Sequence, residues 1–195
     1  YGCVVSIPVF LDIDPTPVVA AVLNNQCTAT EGNFVIDVTL PTAGIPPYSY
    51  SIDGGVFQSQ TAPFSITGLS SGPHTVEVKD KNGCGNLVPV TILEPLGLTP
   101  TITTLPTCAD NDGVITVNAT GGSVPANYTY TLLDSASIVI TGPQPSNVFP
   151  GLAAGSYQIR VTDTTTGCEK TVAVVLSAPT AVTFSTTKTD VSCNG

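Results

Sequence analysis

Apolar and polar residues alternate in short runs along most of the chain, and each run ends at residues that favour turns. The clearest run is His74–Lys79, in which two valines alternate with threonine, glutamate and lysine. A period of two residues is typical of a strand with one buried face and one solvated face. Helix-forming residues are scarce, and no segment sustains the 3.6-residue apolar spacing of an amphipathic helix. The pattern therefore predicts an all-β protein.

Internal repeats organise these runs. Two series of cysteines step along the chain at intervals of 81 to 85 residues, namely Cys3, Cys84 and Cys168, and Cys27, Cys108 and Cys193. Two further motifs also occur twice, Gly-Leu-x-x-Gly from Gly68 and from Gly151, and Tyr-x-Tyr from Tyr48 and from Tyr128. Matched features in a fixed order are typical of tandem repeats. The sequence therefore predicts a segment of a repeat array.

The repeats set the expected domain boundaries. We expect residues 15–95 and 96–179 to form two β-sandwich repeats, which we call repeat 1 and repeat 2. Residues 1–14 are then the C-terminal strand of a preceding repeat, and residues 180–195 are the first strand of a following one. Proline marks each boundary, and because it fixes φ and removes a backbone donor, the links are short and stiff. Strands of repeat 1 are expected near residues 16–24, 33–40, 47–53, 56–58, 63–68, 73–80 and 86–93.

Turn motifs refine the fold class. A Leu-x-x-Gly-x motif precedes both His74 and Tyr157, and it resembles the corner that opens strand F in immunoglobulin-like and fibronectin-like sandwiches. In that corner a Tyr hydroxyl bonds to upstream backbone, so we expect His74 and Tyr157 to fill equivalent structural positions. The Asn82-Gly83 pair between two strands predicts a tight type I′ hairpin. We therefore expect tandem immunoglobulin-like or fibronectin-like β-sandwiches of about 80 residues.

The charge balance excludes some classes of function. The 195 residues include fourteen Asp or Glu and only five Lys or Arg, which gives a net charge of −9. Nucleic-acid binding needs a cationic face, so we expect no nucleic-acid partner. No apolar run reaches the roughly 18–20 residues of a membrane span. The chain contains no Met, so we expect a processed chain or a part of a longer one.

The spaced motifs are similar to a known family. The chain resembles the SprB-type repeat of very large cell-surface adhesins of gliding Bacteroidota in three segments: Pro46-Pro47-Tyr48-Ser49-Tyr50-Ser51, Gly68-Leu69-x-x-Gly72 and Val76-x-Val78-x-Asp80-x-Asn82-Gly83-Cys84. Repeat 2 retains Gly121-Gly122, Tyr128-Thr129-Tyr130 and Gly155-Ser156-Tyr157. His74 departs from the usual Tyr, and Ile52 and Leu132 stand where an aromatic residue is common. The resemblance implies a secreted, surface-attached adhesin stalk, linked to gliding motility and exported by the type IX secretion system.

Three functions from different classes follow. The first is a non-catalytic stalk segment of a giant repetitive adhesin or surface filament, whose partners are further copies of the same repeat in the same chain. Edge strands of such sandwiches also offer lateral self-association. The alternatives are a carbohydrate- or surface-binding β-sandwich module and an accessory domain of a larger secreted enzyme. Aromatic residues make up only 6% of the chain and Trp is absent, which disfavours stacking on sugars.

We predict no catalytic residues and no cofactor. His74 is the single histidine, and no nucleophile motif accompanies it, so a structural role is expected. The cysteines lack CxxC spacing, which disfavours a zinc site. Asp110 and Asp112 resemble the opening of a calcium loop, but the distal Glu is absent, so an acidic turn is favoured over a weak calcium site. Ser135 and Thr164 follow aspartates in the pattern of Bacteroidota O-glycosylation and are candidate acceptors.

The cysteines give the sharpest expectation. Periodic cysteines in an exported chain predict disulfides rather than free thiols. In an immunoglobulin-like domain, Cys27 lies at the trailing A–B turn and Cys84 at the leading F–G turn, about 30 Å away for strands of eight or nine residues. A disulfide requires Cα atoms within about 7 Å, so these two cysteines of one domain are not expected to pair.

Two pairing schemes remain open. The trailing end of repeat 1 faces the leading end of repeat 2, which favours a bond between Cys27 and Cys168 that links successive domains. The other cysteines, Cys3, Cys84, Cys108 and Cys193, would then pair with repeats outside this segment. The alternative folds strands G and A of adjoining repeats into a hairpin and closes all six cysteines as Cys3 with Cys27, Cys84 with Cys108, and Cys168 with Cys193.

Overall fold

The structure, a computed structural model, describes residues 2, 15–108, 111–123, 126–180 and 183–189. Fourteen β-strands lie in these residues, and every segment of regular structure among them is a strand. The prediction of an all-β fold is therefore confirmed. Within the described ranges no helix is long and apolar enough to cross a membrane.

The described residues divide into two compact units. The first unit contains the described residues up to Gly97 together with the segments Thr120–Asn127 and Thr165–Cys168. The second unit contains Leu98–Ala119, Tyr128–Thr164 and the described residues from Glu169 onward. The first unit therefore contains repeat 1 together with short segments of repeat 2.

Repeat 1 forms a sandwich of two antiparallel sheets. Its strands are β1 (Ala21–Leu23), β2 (Phe34–Val38), β3 (Ser49–Ile52), β4 (Gln58–Ser59), β5 (Phe64–Leu69), β6 (Gly72–Lys79) and β7 (Gly85–Ile92). One sheet has the order β1-β2-β5 and the other has the order β4-β3-β6-β7. These orders correspond to strands A-B-E and C′-C-F-G of an immunoglobulin-like or fibronectin-like sandwich. Each strand overlaps or adjoins one expected from the alternation of the sequence.

The core of repeat 1 lies between the two sheets. Strand β2 buries every second residue, because alternate side chains of a strand point to the same face. Its Phe34 pairs with Leu69 of β5, and its Ile36 pairs with Ile66. The buried apolar residues of this core are Val19, Phe34, Ile36, Val38, Tyr50, Val76, Val78, Val90 and Ile92.

Repeat 2 has the same strand order. Its strands are β8 (Gly97–Thr104), β9 (Gly113–Thr120), β10 (Tyr128–Asp134), β11 (Val139–Gln144), β12 (Val148–Leu152), β13 (Gly155–Asp163) and β14 (Glu169–Leu176). The sheets have the orders β12-β9-β8 and β11-β10-β13-β14. The buried apolar residues in these strands are Ile115, Val117, Tyr130, Leu132, Leu133, Phe149, Leu152, Ile159, Val161 and Leu176.

The turn between β6 and β7 differs from the predicted type I′ hairpin. Only the glycine of the Asn82-Gly83 pair has a positive φ, at 82°, whereas a type I′ turn requires positive φ at both residues. The carboxylate of Asp80 explains the difference, because its Oδ1 accepts hydrogen bonds of 2.9 Å from the backbone N–H groups of Asn82 and Cys84. The prediction of a two-residue turn was wrong, and the loop runs over five residues from Asp80 to Cys84.

Candidate functional site

A disulfide joins Cys27 to Cys168. The two Cα atoms lie 4.9 Å apart, and the residues are 141 positions apart in the sequence. Cys27 lies in the turn after β1, and Cys168 lies directly before β14. Both cysteines belong to the first compact unit, although Cys168 comes from repeat 2 of the sequence. The structure therefore contains the pair that the domain geometry favours.

The structure does not contain the alternative hairpin scheme. Cys27 and Cys168 bond to each other, so neither is available to Cys3 or Cys193, which both lie outside the described residues. Cys84 and Cys108 are free thiols rather than a pair. The physical reason is topological, since Cys84 and Cys108 lie at different turns of their sandwiches and strands β7 and β8 belong to different sheets.

The turn that carries Cys27 is held to the end of strand G of the same repeat. The side-chain amide of Gln26 donates to the carbonyl of Leu93 at 2.8 Å and accepts from the N–H of Leu93 at 2.9 Å. Within the turn, the carbonyl of Asn25 accepts hydrogen bonds from the next residues, including Ala29 N–H at 2.9 Å. This double amide pairing fixes the backbone beside the Cys27 sulfur.

The B–C turn of repeat 2 lies against the same part of the first unit. Gly122 N–H donates to the carbonyl of Glu94 at 2.8 Å. Gly121 has a φ of 75°, and a Cβ at this position would overlap the carbonyl of Pro95. Only glycine allows this close approach, which gives the Gly121-Gly122 pair a packing role beyond that of a turn.

His74 and Tyr157 occupy equivalent corners of the two repeats. The hydroxyl of Tyr157 donates to the carbonyl of Ala153 at 3.0 Å, four residues upstream. Nε2 of His74 bonds the carbonyl of Ser70 at 2.9 Å, also four residues upstream. The imidazole therefore makes the same backbone bond as the phenol, and both side chains hold the entry to strand F.

His74 differs from Tyr157 because it also binds a carboxylate. Its Nδ1 lies 2.7 Å from Oδ2 of Asp53, and Oδ1 of Asp53 accepts from Thr75 N–H at 2.7 Å. Burial disfavours the charged imidazole, but the Asp53 hydrogen bond, the Ser70 carbonyl and the Asp53 charge outweigh it and raise the pKa of His74. Burial likewise opposes ionisation of Asp53, yet the hydrogen bonds from His74 and Thr75 lower its pKa. Both ring nitrogens lie within hydrogen-bond distance of an acceptor, which agrees with the structural role predicted for His74.

The calcium candidate is not assembled by the residues that the structure describes. Asp110 lies outside the described residues. Asp112 accepts hydrogen bonds from the side-chain hydroxyl and the backbone N–H of Thr107, at 2.6 and 2.7 Å, and these bonds lower its pKa. Across the described ranges no three His, Cys, Asp or Glu side chains cluster in a way that could hold a metal ion. Asp112 therefore closes its own turn, as an acidic turn residue does.

The two candidate glycosylation sites are exposed on turns. Ser135 follows β10, and Oδ1 of the preceding Asp134 accepts N–H bonds from Ala136 and Ile138, both at 2.8 Å. Thr164 follows β13 and is also exposed. Their accessibility agrees with an acceptor role, which stays a prediction.

Two features of the site were not predicted from the sequence. The first is the pairing of Gln26 with Leu93, and the second is an open groove of about 530 Å³ beside Cys108. Neither has a strong sequence signal, because each depends on how the end of strand G approaches the A–B turn. The one hint in the sequence was a polar residue immediately before the A–B-turn cysteine of each repeat, Gln26 in repeat 1 and Thr107 in repeat 2.

Comparison with protein families confirms the resemblance to the SprB-type repeat. The family model of the SprB repeat matches residues 101–137, which lie within repeat 2. No curated protein matches the chain.

Solved structures support the fold class. The chain is similar to a C-terminal 282-residue fragment of intimin, solved in complex with the intimin-binding domain of the translocated intimin receptor, with a TM-score of 0.52 and 14% identity. The match covers 85% of this chain and 64% of the fragment, so the chain spans less than two thirds of that relative. At this identity the likeness concerns the fold alone.

Two other solved structures are also similar. The amphioxus IgVJ-C2 molecule has a TM-score of 0.35 and 12% identity, and the match covers 76% of this chain and 98% of that one. The fibronectin(III)-like modules of Clostridium thermocellum CbhA have a TM-score of 0.35 and 14% identity, with 83% and 95% covered.

Proposed function

We propose that the chain is a non-catalytic stalk segment of a repetitive cell-surface adhesin, in which disulfides cross-link successive SprB-type repeats. The observation that carries this proposal is the Cys27–Cys168 bond, because it joins a cysteine of repeat 1 to a cysteine of repeat 2. Both cysteines belong to series that recur with the period of the repeats. A periodic cross-link is what a long, load-bearing array needs.

Several observations support a location outside the cell. The SprB repeat matched at residues 101–137 is a feature of cell-surface proteins. Disulfides persist in oxidising compartments and are rare in the cytosol. Secretion, adhesion, gliding motility and type IX export follow from the family resemblance and belong to this proposal. So do the repeat boundaries at residues 15–95 and 96–179, with a preceding repeat before residue 15 and a following one after residue 179.

The position of the disulfide gives the stalk a mechanical property. A pulling force applied at the two ends of the chain passes from Cys27 directly to Cys168 through the sulfur–sulfur bond. The residues between them, which include all strands from β2 to β13, lie outside the path of the force. The cross-link therefore shields most of both sandwiches from extension.

Single-molecule stretching from both ends tests this role. The two bonded residues are 141 positions apart, so at about 3.3–3.6 Å per extended residue, loss of the bond adds about 470–510 Å to the fully stretched length. We expect the oxidised chain to lack this extension and the Cys168→Ser chain to gain it. The Cys84→Ser chain is the matched control, because Cys84 is a free thiol, and it should behave like the parent. Equal stretched lengths with and without the bond would refute the load-bearing role.

A further inference from the structure

We infer that Cys84 and Cys108 each form the same kind of disulfide between repeats as Cys27 and Cys168 do. Each of the two bonds a different neighbouring repeat of the same kind. Cys84 would bond the A–B-turn cysteine of a preceding repeat, and Cys108 would bond the F–G-turn cysteine of a following repeat. This inference rests on the proposed function, because it requires a longer array. It identifies the partner of each free thiol by its place in the repeat.

The two free cysteines occupy the same positions as the bonded ones. Cys84 lies directly before β7 as Cys168 lies directly before β14, and each follows a glycine with positive φ, Gly83 at 82° and Gly167 at 75°. Cys108 lies in the turn after β8, as Cys27 lies in the turn after β1. Repeat 1 and repeat 2 thus each present one cysteine at the A–B turn and one at the F–G turn.

The turns that carry the free thiols are held in place without a disulfide. Asp80 N–H donates to the carbonyl of Cys84 at 2.9 Å, and Oδ1 of Asp80 accepts from Cys84 N–H at the same distance. Beside Cys108, the bonds from Thr107 to Asp112 close the A–B turn. Cys84 is half-buried and Cys108 is exposed, and neither is fully buried.

A groove beside Cys108 indicates what docks there. It has a volume of about 530 Å³ and is lined mainly by Leu105, Pro106, Cys108, Ala178 and Pro179, with three polar neighbours. Glu94 and Pro95 of repeat 1 correspond in sequence to the last two of these residues, because both pairs follow strand G. The groove thus lies between the A–B turn and the end of strand G. In repeat 1 the same two segments are connected by the hydrogen bonds between Gln26 and Leu93.

The corresponding surface of repeat 1 is occupied in the first unit. Its Glu94 carbonyl accepts from Gly122, its Pro95 carbonyl contacts Gly121, and its Cys27 bonds Cys168. The occupants are the B–C and F–G turns of the next repeat in the sequence. The occupant that fits the groove beside Cys108 is therefore the same pair of turns from a following repeat.

Formation of each bond needs an oxidant. Thiol–disulfide exchange with a small-molecule disulfide balances the reaction. One protein thiolate attacks the small disulfide and releases one small thiol, and the second protein thiolate then attacks the mixed disulfide and releases the other. Two protein thiols lose two protons and two electrons, and the small disulfide is reduced to two thiols.

A tandem chain tests the pairing directly. It contains residues 15–179 twice in frame, with the native flanking residues at both ends and with Cys3→Ser and Cys193→Ser. In the test variant, Cys84→Ser in the first copy and Cys108→Ser in the second leave Cys108 of the first copy and Cys84 of the second. After oxidation with glutathione disulfide, we expect these two to bond, so non-reducing peptide mapping should find the Cys108 peptide of the first copy joined to the Cys84 peptide of the second.

The matched control exchanges the substitutions between the copies. It retains Cys84 of the first copy and Cys108 of the second, which have no neighbouring repeat to bind, so we expect two separate cysteine peptides, each a thiol or a mixed disulfide with glutathione. Separate Cys108 and Cys84 peptides in the test variant, with Cys27–Cys168 intact in both copies, would overturn the inference and leave the stalk proposal standing. A bond in the control would also overturn it, because the pairing would then not depend on adjacency.

Discussion

Repeat 1 and repeat 2 carry their fully buried phenylalanine on different strands. The Gly-Leu-x-x-Gly motif makes Leu69 and Leu152 equivalent, and their partners across the sheet are Phe34 on β2 and Gly113 on β9. Three residues earlier on β12, Phe149 pairs with Ile115 of β9, whereas the equivalent residue of β5 in repeat 1 is Ile66. The aromatic ring has moved from strand B to strand E. The two repeats therefore keep the same strand order but place their large core side chains on different strands.

The glycine in repeat 2 is enforced by its neighbours. A Cβ on Gly113 would lie 2.6 Å from Cδ2 of Leu176 and 2.7 Å from the carbonyl oxygen of Leu152. Leu176 is almost completely buried, so it cannot move aside into solvent. In repeat 1 the space next to the corner-motif leucine is therefore filled by Phe34 of strand B. In repeat 2 it is filled by Leu176 of strand G.

The largest expected effect comes from Phe34→Ala. Removal of a fully buried phenylalanine leaves a cavity that costs about 3–5 kcal/mol of unfolding free energy. Hydrogen exchange with mass spectrometry should show lost protection in β6 of repeat 1, while β13 of repeat 2 keeps its protection. An equal loss in both strands would contradict the separate cores of the two repeats.

A smaller loss of unfolding free energy is expected from Gly113→Ala, which adds an atom to a filled core instead of leaving a cavity. The added methyl group overpacks the core of repeat 2 against Leu176, at a cost of about 1–3 kcal/mol. The loss of protection should now appear in β13 and not in β6. Gly155→Ala is the matched control, because its Cβ would meet Tyr157 at an ordinary 3.7 Å. A Gly113→Ala chain as stable as this control would show that Leu176 can repack.

The smallest expected effect is a dependence of the stability of repeat 1 on pH through the His74–Asp53 pair. The pKa of His74 is raised from 6.5 by folding, so its stabilisation is present below pH 6.5 and is lost as the pH rises through the folded value. The pKa of Asp53 is lowered from 3.8, so its stabilisation is present above pH 3.8 and is lost as the pH falls through the folded value. The ion pair therefore contributes most between about pH 4 and 6.5.

Thermal unfolding between pH 5.5 and 8 measures this dependence. We expect repeat 1 to lose less than about 1 kcal/mol over this range, because the Asp53 side chain is 46% exposed and its charge is screened by solvent. The His74→Tyr chain should lose the dependence, since a phenol supplies the same backbone bond without a titrating group, as Tyr157 does in repeat 2. A pH dependence that persists in His74→Tyr would assign it to other groups.

The fold was largely predictable from the sequence because its signals are local and repeated. Alternation placed the strands of repeat 1, and the recurring cysteines and corner motifs predicted that repeat 2 has equivalent strands. The equivalence of His74 and Tyr157 followed from their shared position after a Leu-x-x-Gly-x motif. The partner of Cys27 could be narrowed to Cys168 or Cys3, because an immunoglobulin-like topology limits which turns can approach each other.

Other features could not be predicted because they depend on three-dimensional neighbours. Asn82-Gly83 has the composition of a type I′ turn, but the buried carboxylate of Asp80 imposes a longer loop. The contact of Gln26 with Leu93 joins residues 67 positions apart, and no pattern in the sequence connects them. The exchange of Phe34 for Gly113 likewise becomes visible only once the strands are paired.

The Cys27–Cys168 bond also changes what a protease can do to the chain. Exposed turns are the preferred sites of proteolytic cleavage, and the turn around Val56, which is 85% exposed, lies between the two cysteines. A single cut there, or anywhere else from residue 28 to residue 167, leaves the N-terminal and C-terminal fragments joined through sulfur. The nicked chain stays covalently continuous, so a single cut by a protease does not sever this segment.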